Sequence, residues 1–123
     1  MPYPWLNEYL MAKPGATQDL RVDRNWLRYR VGSKLFAAAQ LKRDGQPLLF
    51  NFKLEPLQGD LLRRQYPDIG PGYYMNKLHW NALAADGTVP DELVRQMADT
   101  SYALVLKSLP KQLQADLLAC RQP

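Results

Sequence analysis

Cysteine and histidine are almost missing: the 123 residues hold one of each, Cys120 and His79. A single cysteine excludes an internal disulfide and suits a reducing compartment. One imidazole and one thiol cannot assemble a zinc site of the common nitrogen and sulfur type, so no metal and no cofactor is expected. No stretch approaches the roughly 18 consecutive apolar residues of a spanning helix. The opening Met1-Pro2-Tyr3-Pro4-Trp5 lacks the basic, apolar and small-residue succession of a secretory signal, and a cytoplasmic protein without membrane contact is expected.

Catalytic patterns are equally scarce. Ser33, Ser101 and Ser108 have no glycine-flanked nucleophile elbow around them. Gly70-Pro71-Gly72 lacks the spacing and the lysine-hydroxyl pair of a phosphate loop, and backbone geometry is its simpler role. Asp91-Glu92 are accounted for by a helix start, where acids offset the partial positive charge. The chain is therefore expected not to be an enzyme.

What is present is an ordinary globular composition, 46% hydrophobic and 23% charged, of a length that suits one domain spanning 1–123. Sixteen Lys and Arg face twelve Asp and Glu, a formal charge of +4. The excess is regional. From Asp19 to Arg43 stand seven bases, Arg21, Arg24, Arg28, Arg30, Lys34, Lys42 and Arg43, against Asp19 and Asp23.

Hydrophobic spacing predicts an amphipathic helix over Pro4 to Lys13, with Trp5, Leu6, Tyr9 and Leu10 on its apolar side. Thr17 to Asn25 has no clean period and several charges, and reads as a connection with a few extended residues. From Trp26 the period becomes two, and Leu27-Arg28-Tyr29-Arg30-Val31 alternates as a half-buried strand does. Gly32-Ser33 suits a two-residue type II′ turn, returning Lys34 to Gln40 antiparallel with Tyr29 opposite Phe36. That register places Tyr29, Val31, Phe36 and Ala38 on the core face, with Arg28 and Arg30 outward beside Leu35 and Ala37. Asp44-Gly45 marks a second hairpin, after which Leu48, Phe50 and Phe52 alternate with Leu49, Asn51 and Lys53.

A short helix is predicted from Pro56 to about Tyr66, with Leu57, Leu61 and Leu62 inward. Two extended pieces follow, around Tyr73 to Met75 and Trp80 to Ala84. Thr88 as capping hydroxyl, Pro90 and the two acids announce a long helix carrying Leu93, Val94, Met97, Ala98, Tyr102, Val105 and Leu109, with a last turn or two from Pro110 to Ala119. The order is helix, three strands, helix, two strands, helix: a two-layer α+β fold, mainly antiparallel, with helices on one face of the sheet.

The other face then carries Arg28, Arg30, Asn51 and Lys53 together. Lys34 and the hairpin-tip pair Lys42-Arg43 extend the cation set, and Asn76, Lys77 and His79 form a second cluster flanked by Tyr73, Tyr74 and Trp80. Cations that neutralise phosphates, beside rings on which bases stack, are the means by which proteins hold nucleic acid. A polar solvated face, and a loop in which Asn76 caps a turn while Tyr73 and Trp80 are core, account for the same residues without a ligand.

Tyr66-Pro67-Asp68-Ile69 and Pro71-Gly72-Tyr73-Tyr74-Met75-Asn76-Lys77-Leu78-His79-Trp80-Asn81 resemble the signature of the MmcQ/YjbR family. Tyr29-Arg30-Val31-Gly32-Ser33-Lys34-Leu35-Phe36-Ala37, Val89-Pro90-Asp91-Glu92-Leu93, Ser101-Tyr102 and Leu109-Pro110-Lys111 fit the same family in order. The resemblance implies an α/β fold akin to secretion chaperones and frataxin-like proteins, and a DNA-binding role through a double-wing motif. Tyr74 stands where the family more often has histidine, and Leu78 where it often has lysine.

Two functions follow as expectations. One is a DNA-binding monomer of low sequence specificity, contacting phosphates through the basic face and hairpins; roughly four contacts would give a log–log salt slope near −3.6. No recognition helix is evident, because the terminal helix starts acidic and carries only Arg95 and Lys107 in its interior. The other is a protein-interaction or chaperone-like adaptor, for which Leu35, Ala37 and Leu49 on the outward face would be the docking patch.

Overall fold

The computed structural model describes residues 3–72 and 76–119. Among them are one six-stranded antiparallel sheet and four α-helices: α1 (Leu6–Met11), β1 (Ala16–Arg21), β2 (Trp26–Val31), β3 (Lys34–Leu41), β4 (Pro47–Lys53), α2 (Pro56–Gln65), β5 (Ile69–Pro71), β6 (Trp80–Ala84), α3 (Asp91–Lys107) and α4 (Lys111–Ala119). The strand order is β1-β2-β3-β4-β6-β5. The two-layer α+β arrangement stands as expected, with one strand more. β1 pairs with β2 from Ala16↔Val31 to Arg21↔Trp26, where a connection was expected. The extended piece at Tyr73 to Met75 falls outside the described residues; the strand beside β6 is Ile69–Pro71.

One face of the sheet carries the core. Tyr29, Phe36, Ala37, Ala39, Phe50, Phe52 and Leu83 meet Val94, Met97, Ala98, Tyr102 and Val105 of α3, and Leu6 and Leu10 of α1 close the β1–β2 end. Tyr29 and Phe36 lie 6.4 Å apart, and Phe36 meets Tyr102 edge-on at 5.3 Å. Burying rings of this size contributes roughly 1.5–3 kcal/mol each.

The β2–β3 hairpin departs from the expected register. Gly32 takes φ +61° at the turn, as a type II′ turn requires. Tyr29 is then opposite Ala37, whereas Arg30 is opposite Leu35, so Phe36 is one residue more than the ladder needs. The bulge turns both Phe36 and Ala37 into the core and leaves Ala38 opposite Arg28 on the other face. The β3–β4 ladder ends at Ala37↔Phe52, and α3 takes up the groups beyond it: the Ser101 hydroxyl donates to the Phe36 carbonyl and accepts the Lys53 N–H at 2.7 Å.

Two helix assignments change. On α2 only Leu62 of the three leucines is buried; Leu57 and Leu61 are exposed, because the side turned to the sheet carries Gly59 and Arg63 against Asn81. At α3, Thr88 does not cap: Pro90 holds the N-cap position, and the Thr88 N–H binds the Asp68 carboxylate at 2.9 Å. Leu113 and Leu117 of α4 pack against the core margin, the first near Gly32 and the second against Gly15.

Candidate nucleic-acid interface

The second sheet face is built by the residues between the core positions. Asp19, Arg28, Ala38, Asn51, Ala82 and Gly70 form one cross-sheet row, and Arg21, Trp26, Gln40, Leu49 and Ala84 the next. Lys53, opposite Trp80, and Arg30, opposite Thr17, lie on the other side of the first row. All four helices pack on the core face through Leu6, Leu62, Val94 and Leu113, so Arg28, Arg30 and Lys53 share a side clear of described helices. The centre of that face is closed, since Ala38 and Asn51 are fully buried and Trp26 nearly so. Arg28, Arg30 and Lys53 stand at its margin. Asn51 therefore occupies the expected face without being offered to solvent.

The acid that matters here is Asp19. Its carboxylate receives both Arg28 nitrogens in a fork, and Arg30 Nε stands 3.9 Å away. The hydrogen bond from Arg28 holds the Asp19 carboxyl below the ordinary aspartate range, with the nearby charges of Arg28 and Arg30 acting the same way. Arg30 also donates to the Ser33 carbonyl at 3.0 Å. Three cations and one carboxylate leave this margin with two net positive charges.

The remaining candidates do not join it. Lys34 turns toward the end of α3, its Nζ 3.1 Å from Ser108 Oγ. Lys42 and Arg43 are exposed at the β3–β4 tip beside Asp44, whose carboxylate is taken by the Gln46 N–H. That tip is at the opposite end of β3 from the Lys34 turn.

The loop after β5 is fastened from beneath. Arg63 of α2 donates to Asn81 Oδ1 at 2.8 Å and to the carbonyls of Lys77 and Trp80 at 2.6 and 3.1 Å. Asn81 Nδ2 in turn reaches the His79 carbonyl at 3.2 Å. Asn76 accepts the Leu78 N–H at 2.8 Å, a side-chain turn. Lys77 is exposed and His79 half-buried, and their main-chain carbonyls are what the clamp holds. Trp80 lies half-buried on the second face beside Lys53, away from the core cluster. Tyr73 and Tyr74 fall outside the described residues. Asp19, Arg63 and Asn81 were not among the sequence candidates; only the short separation of Asp19 from Arg28 hinted at a pair.

No group of His, Cys, Asp and Glu among the described residues could hold a metal ion, and no helix there is long and apolar enough to cross a membrane. A family model described as YjbR matches residues 11–104. The chain belongs to the YjbR family. It is 34% identical over 107 residues to the uncharacterized protein YjbR of Escherichia coli K12, covering 87% of this chain and 89% of that one. It is also 34% identical over 84 residues to the uncharacterized protein YbdF of Escherichia coli O157:H7, 68% of this chain and 67% of that one. Among solved structures, Deinococcus radiodurans protein DR2400, domain DUF419, superposes with a TM-score of 0.81 at 32% identity over 91% of this chain and 84% of its own. A Pseudomonas syringae protein shares the fold, with a TM-score of 0.69 at 19% identity over 85% and 99% of the two chains. The YjbR match spans β1 through most of α3, so it includes both sheet faces and the Arg63 clamp.

Proposed function

We propose that this YjbR-family protein binds DNA through phosphate contacts at the margin of its second sheet face, by binding alone and without catalysis. The observation that carries the reading is the convergence of Arg28, Arg30 and Lys53 on one side of the sheet, clear of the helices. Arginine and lysine contacts to phosphates position a protein on nucleic acid and carry no sequence information, so sequence specificity is low.

The contact is smaller than the sequence suggests. Lys34 points to α3, Lys42 and Arg43 stand at the opposite end of β3, and Asp19 offsets one arginine. Two net charges correspond to about two phosphates and a log–log salt slope of about −1.8. The adaptor alternative loses its patch on this face, because Ala37 is in the core and only Leu35 and Leu49, both half-buried, remain.

Fluorescence anisotropy of labelled duplex and single-stranded oligonucleotides across a salt series tests the proposal. Binding at low salt with a slope near about −1.8, weakened by Lys53→Glu, is the expected result. Absence of binding at low salt, or a response unaffected by salt, overturns it.

A further inference from the structure

β1 ends the sheet, and apart from its ladder to β2 the backbone of residues 17–21 makes no hydrogen bond to described residues. Such an edge is a template for another strand unless charge or shape obstructs it. Leu20 is 51% exposed on it, and Val22, just past its end, 75%. Thr17, Asp19 and Arg21 share the second sheet face, and Gln18 and Leu20 the core side.

We propose that β1 pairs antiparallel with β1 of a second copy of this chain, with Leu20 on the two-fold axis. Charge and the exposed Leu20 together select the register. Centring the pair on Asp19 would set two carboxylates directly opposite each other, and centring it on Arg21 would oppose two guanidinium groups. Centring it on Leu20 places Asp19 across from the partner's Arg21 and the partner's Asp19 across from Arg21. Directly opposed residues on one face of an antiparallel pair interact, favourably for unlike charges and unfavourably for like ones. The same register sets Leu20 against the partner's Leu20, covering the apolar side chain that the free strand exposes. A two-fold axis perpendicular to the sheet keeps both second faces on the same side and joins two six-stranded sheets into one. The pairing needs no nucleic acid.

Sedimentation velocity of the full chain, with nucleic acid removed, is expected to give the mass of two chains. Arg21→Asp sets like charges opposite each other twice per dimer and weakens association by roughly tenfold or more. Circular dichroism checks that this variant is folded. Leu20→Cys with Cys120→Ala is expected to form a disulfide-linked dimer under mild oxidation, because the two thiols face each other across the axis. A monomer at all concentrations overturns the proposal. So does a dimer that Arg21→Asp leaves unchanged and that Leu20→Cys does not cross-link.

Discussion

Asp19 lies between two guanidinium groups, and the hydrogen bond from Arg28 is the main reason it titrates below the ordinary aspartate value. The folded protein therefore binds this proton less tightly than the unfolded chain does. Its stabilising contribution is in force at neutral pH and is lost as pH falls through the depressed folded value. Arg28→Ala should move the Asp19 titration upward, toward ordinary values, with Arg30 still acting downward, and carboxyl NMR reads this directly. Asp19→Asn removes the carboxylate that offsets the margin's cations. It should tighten DNA binding and steepen the salt slope by about 0.9, and an unchanged slope would place Asp19 outside the contact. Ser101 acts on stability through its two hydrogen bonds. Ser101→Ala strands the Phe36 carbonyl and the Lys53 N–H at the bulge, and chemical denaturation should show a loss of about 1–3 kcal/mol.

Elements differ in how plainly the chain announces them. β2, β4 and α3 set apolar side chains toward the core at a regular interval, Tyr29 and Val31, Phe50 and Phe52, Val94 and Met97, so their periods of two and 3.6 are written in their sequence. β1 lies at the sheet edge with nearly every side chain in solvent, which leaves Thr17 to Arg21 no apolar alternation to read. The Phe36 bulge was hidden for another reason: Gly32-Ser33 fixes the turn, but nothing local shows that the ladder gains a residue four positions later. The cation set followed the same division. Arg28, Arg30 and Lys53 came from alternation within strands, while Lys34 and Asp19 depended on α3 and on the unseen β1. α2 misled because its spacing puts Leu57 and Leu61 beside Leu62, yet the sheet asks for a glycine and an arginine. A Cβ at Gly59 would stand 2.7 Å from Asn81 Oδ1, an atom Arg63 holds in place. Replacing a helix glycine by alanine ordinarily stabilises by roughly 0.5–1 kcal/mol. Here Gly59→Ala should lower stability instead, with faster amide exchange over residues 76–80 as the Arg63 clamp loosens.

Across the whole molecule the bases are spread over both ends of the sheet and over α2, so a net charge of +4 could attract a polyanion without any particular surface. The two cases separate when charge is removed at different places by the same amount. Arg30→Glu with Lys53→Glu strips the margin of the second face. Lys42→Glu with Arg43→Glu makes the same change at the exposed β3–β4 tip, where both residues lie outside the sheet's packing. Each double variant brings the formal charge from +4 to neutrality, so long-range attraction falls equally. A margin that contacts phosphates should lose at least about tenfold more affinity in the first variant than in the second, and its salt slope should flatten toward zero. Anisotropy at a fixed low salt reads the difference. Equal losses would mean that only the overall charge acts, and that the convergence of Arg28, Arg30 and Lys53 reflects the solvated side of an antiparallel sheet.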